Sequence, residues 1–280
     1  MRRFVVVLAA AIMLLAPCLA PAERVEITVN GAAAAVTLTA EMDDTAMLSA
    51  IASVMAGPLG LPLLSPLYVH FYDSEKAFEE GLLRDAGVDA AHVGDHVRFA
   101  TGVGSEKGIF LRRDRLTRST VAPRAGLFAH ELTHVAQYAL AGGKRLVAEQ
   151  WLKEGHADWM KYQVLERLGV QTYERSRQVQ VREIKRAGPL AELPRLTTLS
   201  TQRGWVTARD KHAKGGTYAV AFFATEYLVE KKGAGAILAY YRREQPASSR
   251  AAAFKNAFGT TIEEFAEDFA AKLAELVDRK

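Results

Sequence analysis

The residues with the clearest chemical potential lie at 130–134, where the sequence reads His-Glu-Leu-Thr-His within a helical pattern. Four residues is just over one helical turn, so His130 and His134 project from the same face and can bind one metal ion together. Glu131 follows the first histidine, where its carboxylate can take a proton from a water molecule that the ion acidifies. This spacing predicts the centre of a metal-assisted hydrolase.

A third ligand is predicted from the next helical segment. A catalytic zinc ion takes three protein ligands and keeps a fourth position open. Glu154 follows one helix later, after a Gly142-Gly143 reversal, and two antiparallel helices can bring it to the same ion. Asp158 lies one turn beyond Glu154, where it can accept the free imidazole N–H of either histidine. One Zn²⁺ is therefore expected, although nickel, cobalt and manganese accept the same ligands.

The short motif alone also fits an ordinary amphipathic helix that carries two histidines beside a core. With 7 His and 21 Glu in 280 residues, random placement predicts the motif about 0.01 times per chain. The motif is therefore a selective clue, and the added Glu154 and Asp158 favour the metal site over the core helix.

These residues carry a family resemblance. His130-Glu-Leu-Thr-His134 followed by Trp151-Leu-x-Glu154-Gly-x-Ala-x-Trp159 resembles the gluzincin metallopeptidases and, more closely, the bacterial peptidase MA-like domain proteins. The helix with Tyr218 and the ending Phe258-Gly-Thr-Thr-Ile-Glu-Glu-Phe265 are also similar, so the resemblance covers roughly 124–277. It implies a zincin-like fold, a peptide or protein substrate, and a strand at 109–112 resembling the edge strand that holds an extended peptide. The chain departs from the pattern in having Trp159 where Tyr is more common, and it lacks the Gly-x-Met-Glu-Asn element of aminopeptidases.

The resemblance also suggests a second catalytic group, Tyr218, which opens a helix after Gly215-Gly216. Its hydroxyl is expected to donate a hydrogen bond to the oxyanion of the reaction. Two alternatives are a half-buried tyrosine that only packs and, for the donor role, His212 in the preceding segment.

Before the motif, short apolar runs alternate with turn signals, which predicts a small mixed sheet with helices. Strands are expected at 25–29, 36–39, 67–72, 96–100 and 109–112, and helices at 45–55 and 75–84. Asn30-Gly31 lies between the first two strands and predicts a hairpin there.

After Pro123 the pattern becomes almost continuously helical. Helices are expected at 124–141, 145–168, 172–187, 217–232, 234–243, 248–257 and 261–277, with a long loop at 188–216. The predicted fold is therefore α+β and zincin-like: a strand-rich subdomain at 23–123, a helical zinc-binding subdomain at 124–280, and the metal site in the cleft between them.

Residues 1–22 predict a signal peptide, with a basic head at Arg2 and Arg3, an apolar run and an Ala20-Pro21-Ala22 cleavage site. Export to the periplasm or the cell exterior is expected. The one cysteine, Cys18, lies within this segment, where the preceding Pro17 argues against a lipid anchor. No later stretch reaches the ~18 apolar residues of a spanning helix. The formal net charge of +4 falls to +2 without the two arginines, which argues against nucleic acid as a partner.

Other residues are expected to be structural. His156 lies about 200° around the helix from Glu154 and should face away from the metal. His70, His92 and His96 are predicted strand or loop residues without ligand spacing. The arginines at 112, 113, 115, 118 and 124 are expected to form a solvated face or, alternatively, to grip acidic groups of a substrate or envelope.

Two other functions compete with an exported zinc peptidase. The first is a zinc-stabilised envelope adaptor without turnover, and the second is a helical domain without metal. Glu131 favours the enzyme, because a binding protein needs the ligands but not the base.

Overall fold

The computed structural model of the chain describes residues 23–31, 36–116, 120–143, 147–212, 214–242 and 249–278. The fold is mixed α/β and mostly helical, with a small sheet. The predicted signal peptide, including Cys18, lies outside the described residues. Within the described ranges no helix combines the length and the apolar character needed to cross a bilayer.

Four strands form the sheet in the order β1-β2-β4-β3. They are β1 (Glu23–Ile27), β2 (Leu67–Tyr72), β3 (Gly102–Ser105) and β4 (Gly108–Arg112). β2 runs parallel to β4 and antiparallel to β1, and β3 returns antiparallel along β4. Strand predictions at 67–72 and 109–112 are confirmed.

The expectation that 109–112 is an edge strand is wrong. β4 lies between β2 and β3, and every one of its residues is buried. The strand at the sheet edge beside the histidine helix is β3, which contains Gly102 and Gly104. A strand this short and glycine-rich carries little of the β-branched or aromatic signal that strand prediction depends on.

The predicted Asn30-Gly31 hairpin is also wrong. Residues 36–39 form no strand, and β1 instead pairs with β2, with Val25 opposite Val69. An isolated two-stranded hairpin is marginally stable, whereas pairing with a buried strand of a larger sheet buries more apolar surface. The tertiary pairing therefore overrides the local turn signal.

Twelve helices are described. They are α1 (Asp44–Ala56), α2 (Glu75–Gly81), α3 (Ala90–Phe99), α4 (Arg113–Leu116), α5 (Val121–Leu140), α6 (Gln150–Arg167), α7 (Tyr173–Ala187), α8 (Gln202–Lys211), α9 (Lys214–Lys232), α10 (Ala234–Arg242), α11 (Arg250–Phe258) and α12 (Ile262–Asp278). Each predicted helix matches one of these with shifted ends, and a π-helical turn, Leu82–Ala86, extends α2.

The predicted strand at 96–100 is wrong, because these residues belong mainly to α3. The Asp89 side chain caps this helix by accepting from the Ala91 backbone N–H. Val93 and Val97, one turn apart, pack into a small apolar cluster with Phe110. The alternation of apolar and polar residues around His96 is typical of a strand, but the helical spacing of the two valines decides the structure.

The segment 188–216 is not an unstructured loop. It contains α8 and two 3₁₀ turns, Leu190–Glu192 and Leu196–Ser200. Thr201 caps α8 through the Gly204 N–H, and Trp205 is buried at 1% exposure. The segment is thus part of the packed structure.

Helix α6 is held between α5 and α9. Gly142 and Gly143 adopt positive φ of 70° and 69°, the left-handed backbone that ends α5 and reverses the chain toward α6. At Gly155 a Cβ atom would lie 2.2 Å from the Ala221 carbonyl oxygen. α6 and α9 therefore cross closely only because this residue lacks a side chain. The predicted division of the chain near residue 123 stays a prediction.

Candidate metal centre

Three predicted ligands converge between α5 and α6. The Nε2 atoms of His130 and His134 are 3.2 Å apart, and Glu154 Oε2 lies 3.4 Å from the first and 3.7 Å from the second. In a tetrahedral site with metal–ligand bonds of about 2.0–2.1 Å, neighbouring ligand atoms are about 3.4 Å apart. The observed spacing fits that geometry, and this group could hold a metal ion.

The far side of His130 is held by Asp158, as the sequence suggested. His130 Nδ1 lies 2.8 Å from Asp158 Oδ1, and Lys161 Nζ donates to the same oxygen at 2.7 Å. A carboxylate accepts only, so Nδ1 carries the hydrogen and Nε2 faces the other ligands with its lone pair.

Charge around His130 favours a positive charge at the centre. Burial would lower the pKa of His130, but the hydrogen bonds to Asp158 and Glu154 outweigh it and raise the pKa to about 10. Burial acts in the opposite sense on Asp158, yet Lys161 and His130 hold its pKa below the ordinary value. The pKa of Glu154 is likewise lowered against its burial, by His134 and His130. A proton or a metal cation can supply that positive charge.

His134 is oriented by Gln137, which the sequence analysis did not identify. Gln137 Nε2 donates to the Lys153 carbonyl at 3.0 Å, so its Oε1 faces His134 Nδ1 at 3.0 Å. This arrangement gives His134 the same tautomer as His130. His156 lies 3.2 Å from the Gln137 amide nitrogen and is 1% exposed. Burial and then the charge of His134 lower the pKa of His156 to about 3, so it supports Gln137 as a neutral ring.

The third ligand has its own partner as well. Gln150 Nε2 donates to Glu154 Oε1 at 2.8 Å, which leaves Oε2 toward the histidines. Gln137 and Gln150 were missed because neutral amides carry no chemical motif. The available signal was their position, one turn from His134 and from Glu154 respectively.

Glu131 is buried at 6% exposure and faces the sheet edge. One of its carboxylate oxygens, Oε2, accepts the backbone N–H of Gly104 in β3 at 2.8 Å. A Cβ at Gly104 would lie 2.2 Å from the Glu131 carbonyl oxygen and 2.9 Å from His134 Cβ. Glycine here lets β3 approach the metal helix closely enough to fix this carboxylate. Gly104 belongs to no motif that the sequence would reveal.

Comparisons with protein-family models, curated proteins and solved structures found no match.

Tyr218 lies beside the three ligands at the start of α9. Its ring centroid is 6.1 Å from that of His130, and Trp205 of α8 packs edge-on against it at 5.0 Å. Burial and the charge of Glu154 raise its pKa well above the ordinary value, so the hydroxyl keeps its proton. His212 directly follows α8 and does not line the cleft beside Tyr218.

A cleft of about 1090 Å³ runs past these residues. Its walls include β3, α3, α8 and the start of α9, opposite α5 and α6. His92 and His96, predicted as strand or loop residues, are one turn apart on α3 and line this cleft. His70 lies on β2 and stacks on Phe110 at 4.8 Å. Among the described residues, the one metal-binding group of this kind is His130, His134 and Glu154.

The basic run before the motif is mostly structural. Arg112 is 4% exposed and bonds Asp114 and Glu75 at 2.6 Å each. Arg113 pairs with Glu23, and Arg124 reaches the Met42 carbonyl. A solvated face is therefore the wrong interpretation for these three arginines, since they join β4 to α2, α4 to β1, and α5 to the segment before α1.

Proposed function

We propose that this chain is an exported, zinc-dependent hydrolase of the gluzincin peptidase type that cleaves peptide bonds with an activated water molecule. The observation that carries the proposal is the convergence of His130, His134 and Glu154 to within 3.7 Å. The buried carboxylate of Glu131 lies on α5 together with the two histidines. Four residues thus supply the three ligands and the base that metal-assisted hydrolysis requires.

The donor set favours zinc. Two imidazoles and one carboxylate are the ligands of many catalytic zinc sites, and they leave a fourth position for a reactant. When bound, the ion would act as a Lewis acid toward water and a substrate carbonyl. The second hydrogen-bonding atom of each ligand is held by Asp158, Gln137 or Gln150, which fixes the ligands before any ion arrives.

In this proposal Glu131 takes the proton of the attacking water and later delivers it to the leaving amine. The Gly104 N–H holds one carboxylate oxygen, so the side chain is oriented before substrate binds. Such orientation matters because the rate of proton transfer depends on the geometry of the base.

Tyr218 is the proposed oxyanion donor. Negative charge develops on the carbonyl oxygen as water adds, and a phenol aimed there stabilises the transition state more than the substrate. Its raised pKa keeps the hydroxyl as a donor at neutral pH. Its packing between Trp205 and His130 supports the proposal by holding the ring beside the ligands.

The zincin-like arrangement, the extracytoplasmic location and the resemblance to peptidase MA-like proteins belong to the same proposal. The arrangement and the resemblance are supported by the motif sequence, the histidine helix α5 followed by the glutamate helix α6, and the edge strand β3 beside Glu131. The location is supported by the signal-peptide pattern of residues 1–22.

The decisive experiment compares Glu131→Gln with the wild type on a peptide library. Glutamine keeps the shape of the side chain but cannot take the proton, so zinc should stay bound while cleavage disappears. Glu106→Gln is the matched control, because Glu106 also lines the cleft but is exposed. Equal cleavage by the wild type and Glu131→Gln would rule out Glu131 as the base. Metal-dependent binding of a partner without cleavage by any form would favour the adaptor.

A further inference from the structure

Arg209 is a cation of the cleft that has neither an ionic nor a hydrogen-bonding partner among the described residues. Arg209 lies on α8, within the segment expected to be a loop, and lines the same cleft as the three ligands. Its Nε is buried without a hydrogen-bond partner, and no carboxylate within the described ranges pairs with its guanidinium. The adjacent Asp210 is used by Arg98 of α3 instead, at 3.4 Å.

Two aromatic rings hold this guanidinium. Its central carbon lies 4.2 Å from the ring centroid of Phe99 and 5.7 Å from that of Tyr218. Aromatic rings fix the plane of an arginine but satisfy none of its N–H groups. The group is therefore oriented while its hydrogen-bonding capacity stays unused, and such capacity is costly to leave unsatisfied where water is partly excluded.

The partner that fits the Arg209 guanidinium is an anion. Glu131, Glu154 and Asp158 concentrate negative charge near the ligands, so a substrate carboxylate entering the cleft needs a compensating cation. The forked N–H groups of arginine match a carboxylate with two parallel hydrogen bonds. Of the two lysines that line the cleft, Lys161 is paired with Asp158, and Lys153 lies over the Tyr138 ring at 5.9 Å.

We propose that Arg209 binds a carboxylate of the substrate, so that the hydrolase acts on peptides carrying a carboxylate close to the scissile bond. This inference rests on the proposed function, because it names the substrate class of the same site. The carboxylate can come from a free C-terminus or from an Asp or Glu side chain.

The distances limit how far that carboxylate lies from the reacting bond. The Tyr218 ring is 5.7 Å from the guanidinium carbon and 6.1 Å from the His130 ring. The guanidinium is therefore within about 12 Å of His130, and an extended peptide advances about 3.3 Å per residue. The carboxylate should belong to a residue within about three positions of the bond.

Equilibrium binding to the full-length Glu131→Gln protein tests this without peptide being consumed. The probes are short peptides without other charged side chains, in matched pairs. One pair compares a free C-terminus with an amidated one. The other pairs, all amidated, compare Asp with Asn at each of three positions on either side of the bond. Calorimetry should show that Arg209→Gln weakens binding of the preferred carboxylate peptide about 10- to 100-fold. The affinity for the amidated or Asn peptide of the same pair should be unchanged by Arg209→Gln. The pair that shows the preference identifies the source of the carboxylate.

Arg98→Gln is the matched control. Arg98 also stacks on Phe99, at 4.5 Å, but it pairs with Asp210 and does not line the cleft. It should keep the carboxylate preference. If Arg209→Gln fails to fold, Arg209→Lys decides. Lysine keeps the positive charge but lacks the forked N–H groups of the guanidinium, so the preference for carboxylate peptides should be reduced.

Two results would overturn the inference. One is equal affinity of the Glu131→Gln protein for the acidic and the uncharged peptide of every pair. The other is an undiminished carboxylate preference after Arg209→Gln. The outcome is separable from the hydrolase proposal. Carboxylate preference in binding with no cleavage by the wild type would leave Arg209 as a ligand-binding residue and reject the enzyme. Cleavage by the wild type without a carboxylate preference would support the enzyme and reject the proposed role of Arg209.

Discussion

The two sides of the cleft differ in what fixes them. On the metal side, α5 and α6 carry His130, His134 and Glu154, and each ligand has a hydrogen-bonding partner within one helix turn or on the facing helix. On the opposite wall, formed by β3, α3, α8 and the start of α9, side chains meet through ring packing and an ion pair, and one backbone N–H reaches Glu131 on α5.

The difference separates metal binding from turnover. Changes to the three ligands, or to the residues that orient them, should alter the affinity for zinc. Changes on the opposite wall should alter turnover or stability and leave zinc bound. Variants at Tyr218, Gly104 and Asp158 test the opposite wall, the contact between the two sides, and the metal side.

The largest effect on the opposite wall is expected at Tyr218. Tyr218→Phe deletes only the hydroxyl, so kcat should fall about 100- to 1,000-fold, equivalent to about 2.7–4 kcal/mol. Zinc content, Tm and KM should stay close to wild type. The control is Tyr138→Phe, which removes a hydroxyl from another tyrosine of the cleft. A variant that melts much earlier with unchanged turnover per folded molecule would show that Tyr218 only packs.

The contact between the two sides is tested at Gly104. In Gly104→Ala the added Cβ meets the Glu131 carbonyl oxygen at 2.2 Å, so β3 has to move away from α5. Overpacking of this kind costs about 1–3 kcal/mol of unfolding free energy, and turnover should fall further because Glu131 loses its hydrogen bond. Gly94→Ala is the control, because a Cβ there meets nothing within 4 Å. Urea unfolding that shows equal stability for both variants would contradict the close approach of β3.

A change restricted to the metal side is made at Asp158. In Asp158→Asn the amide can present a donor to His130 Nδ1, and the charge opposite Lys161 is lost. Zinc affinity should fall about 10- to 100-fold, as for other residues that orient ligands. Competition with a zinc-binding dye measures this. Asp95→Asn, which changes a cleft carboxylate on α3, should bind zinc like the wild type, and equal affinity in Asp158→Asn would contradict the orienting role.

The metal side was predictable because its signals are local. The spacing of His130 and His134 places both on one helix face, and the glycine pair after α5 indicates the return of α6. The hydrogen bond that Asp158 accepts from His130 follows from the same one-turn arithmetic. These inferences need only the geometry of a helix.

The opposite wall was not predictable in the same way. Gly104 approaches Glu131 through sheet pairing, and Arg209 meets Phe99, which is far away in sequence, and Tyr218 of the next helix through tertiary packing. The alternation at 96–100 and the prolines and glycines of 188–216 even pointed to the wrong local structure. Their conformations depend on partners such as Phe110 and Trp205, whose positions a local pattern does not contain.

The most direct test of the account is the metal content of the purified protein and two histidine variants. Elemental analysis should find close to one zinc per wild-type chain and very little in His134→Ala. His92→Ala, which removes a histidine from the opposite wall of the same cleft, should keep the wild-type amount. Full zinc occupancy in His134→Ala, or a wild-type protein that binds no divalent metal, would contradict the account.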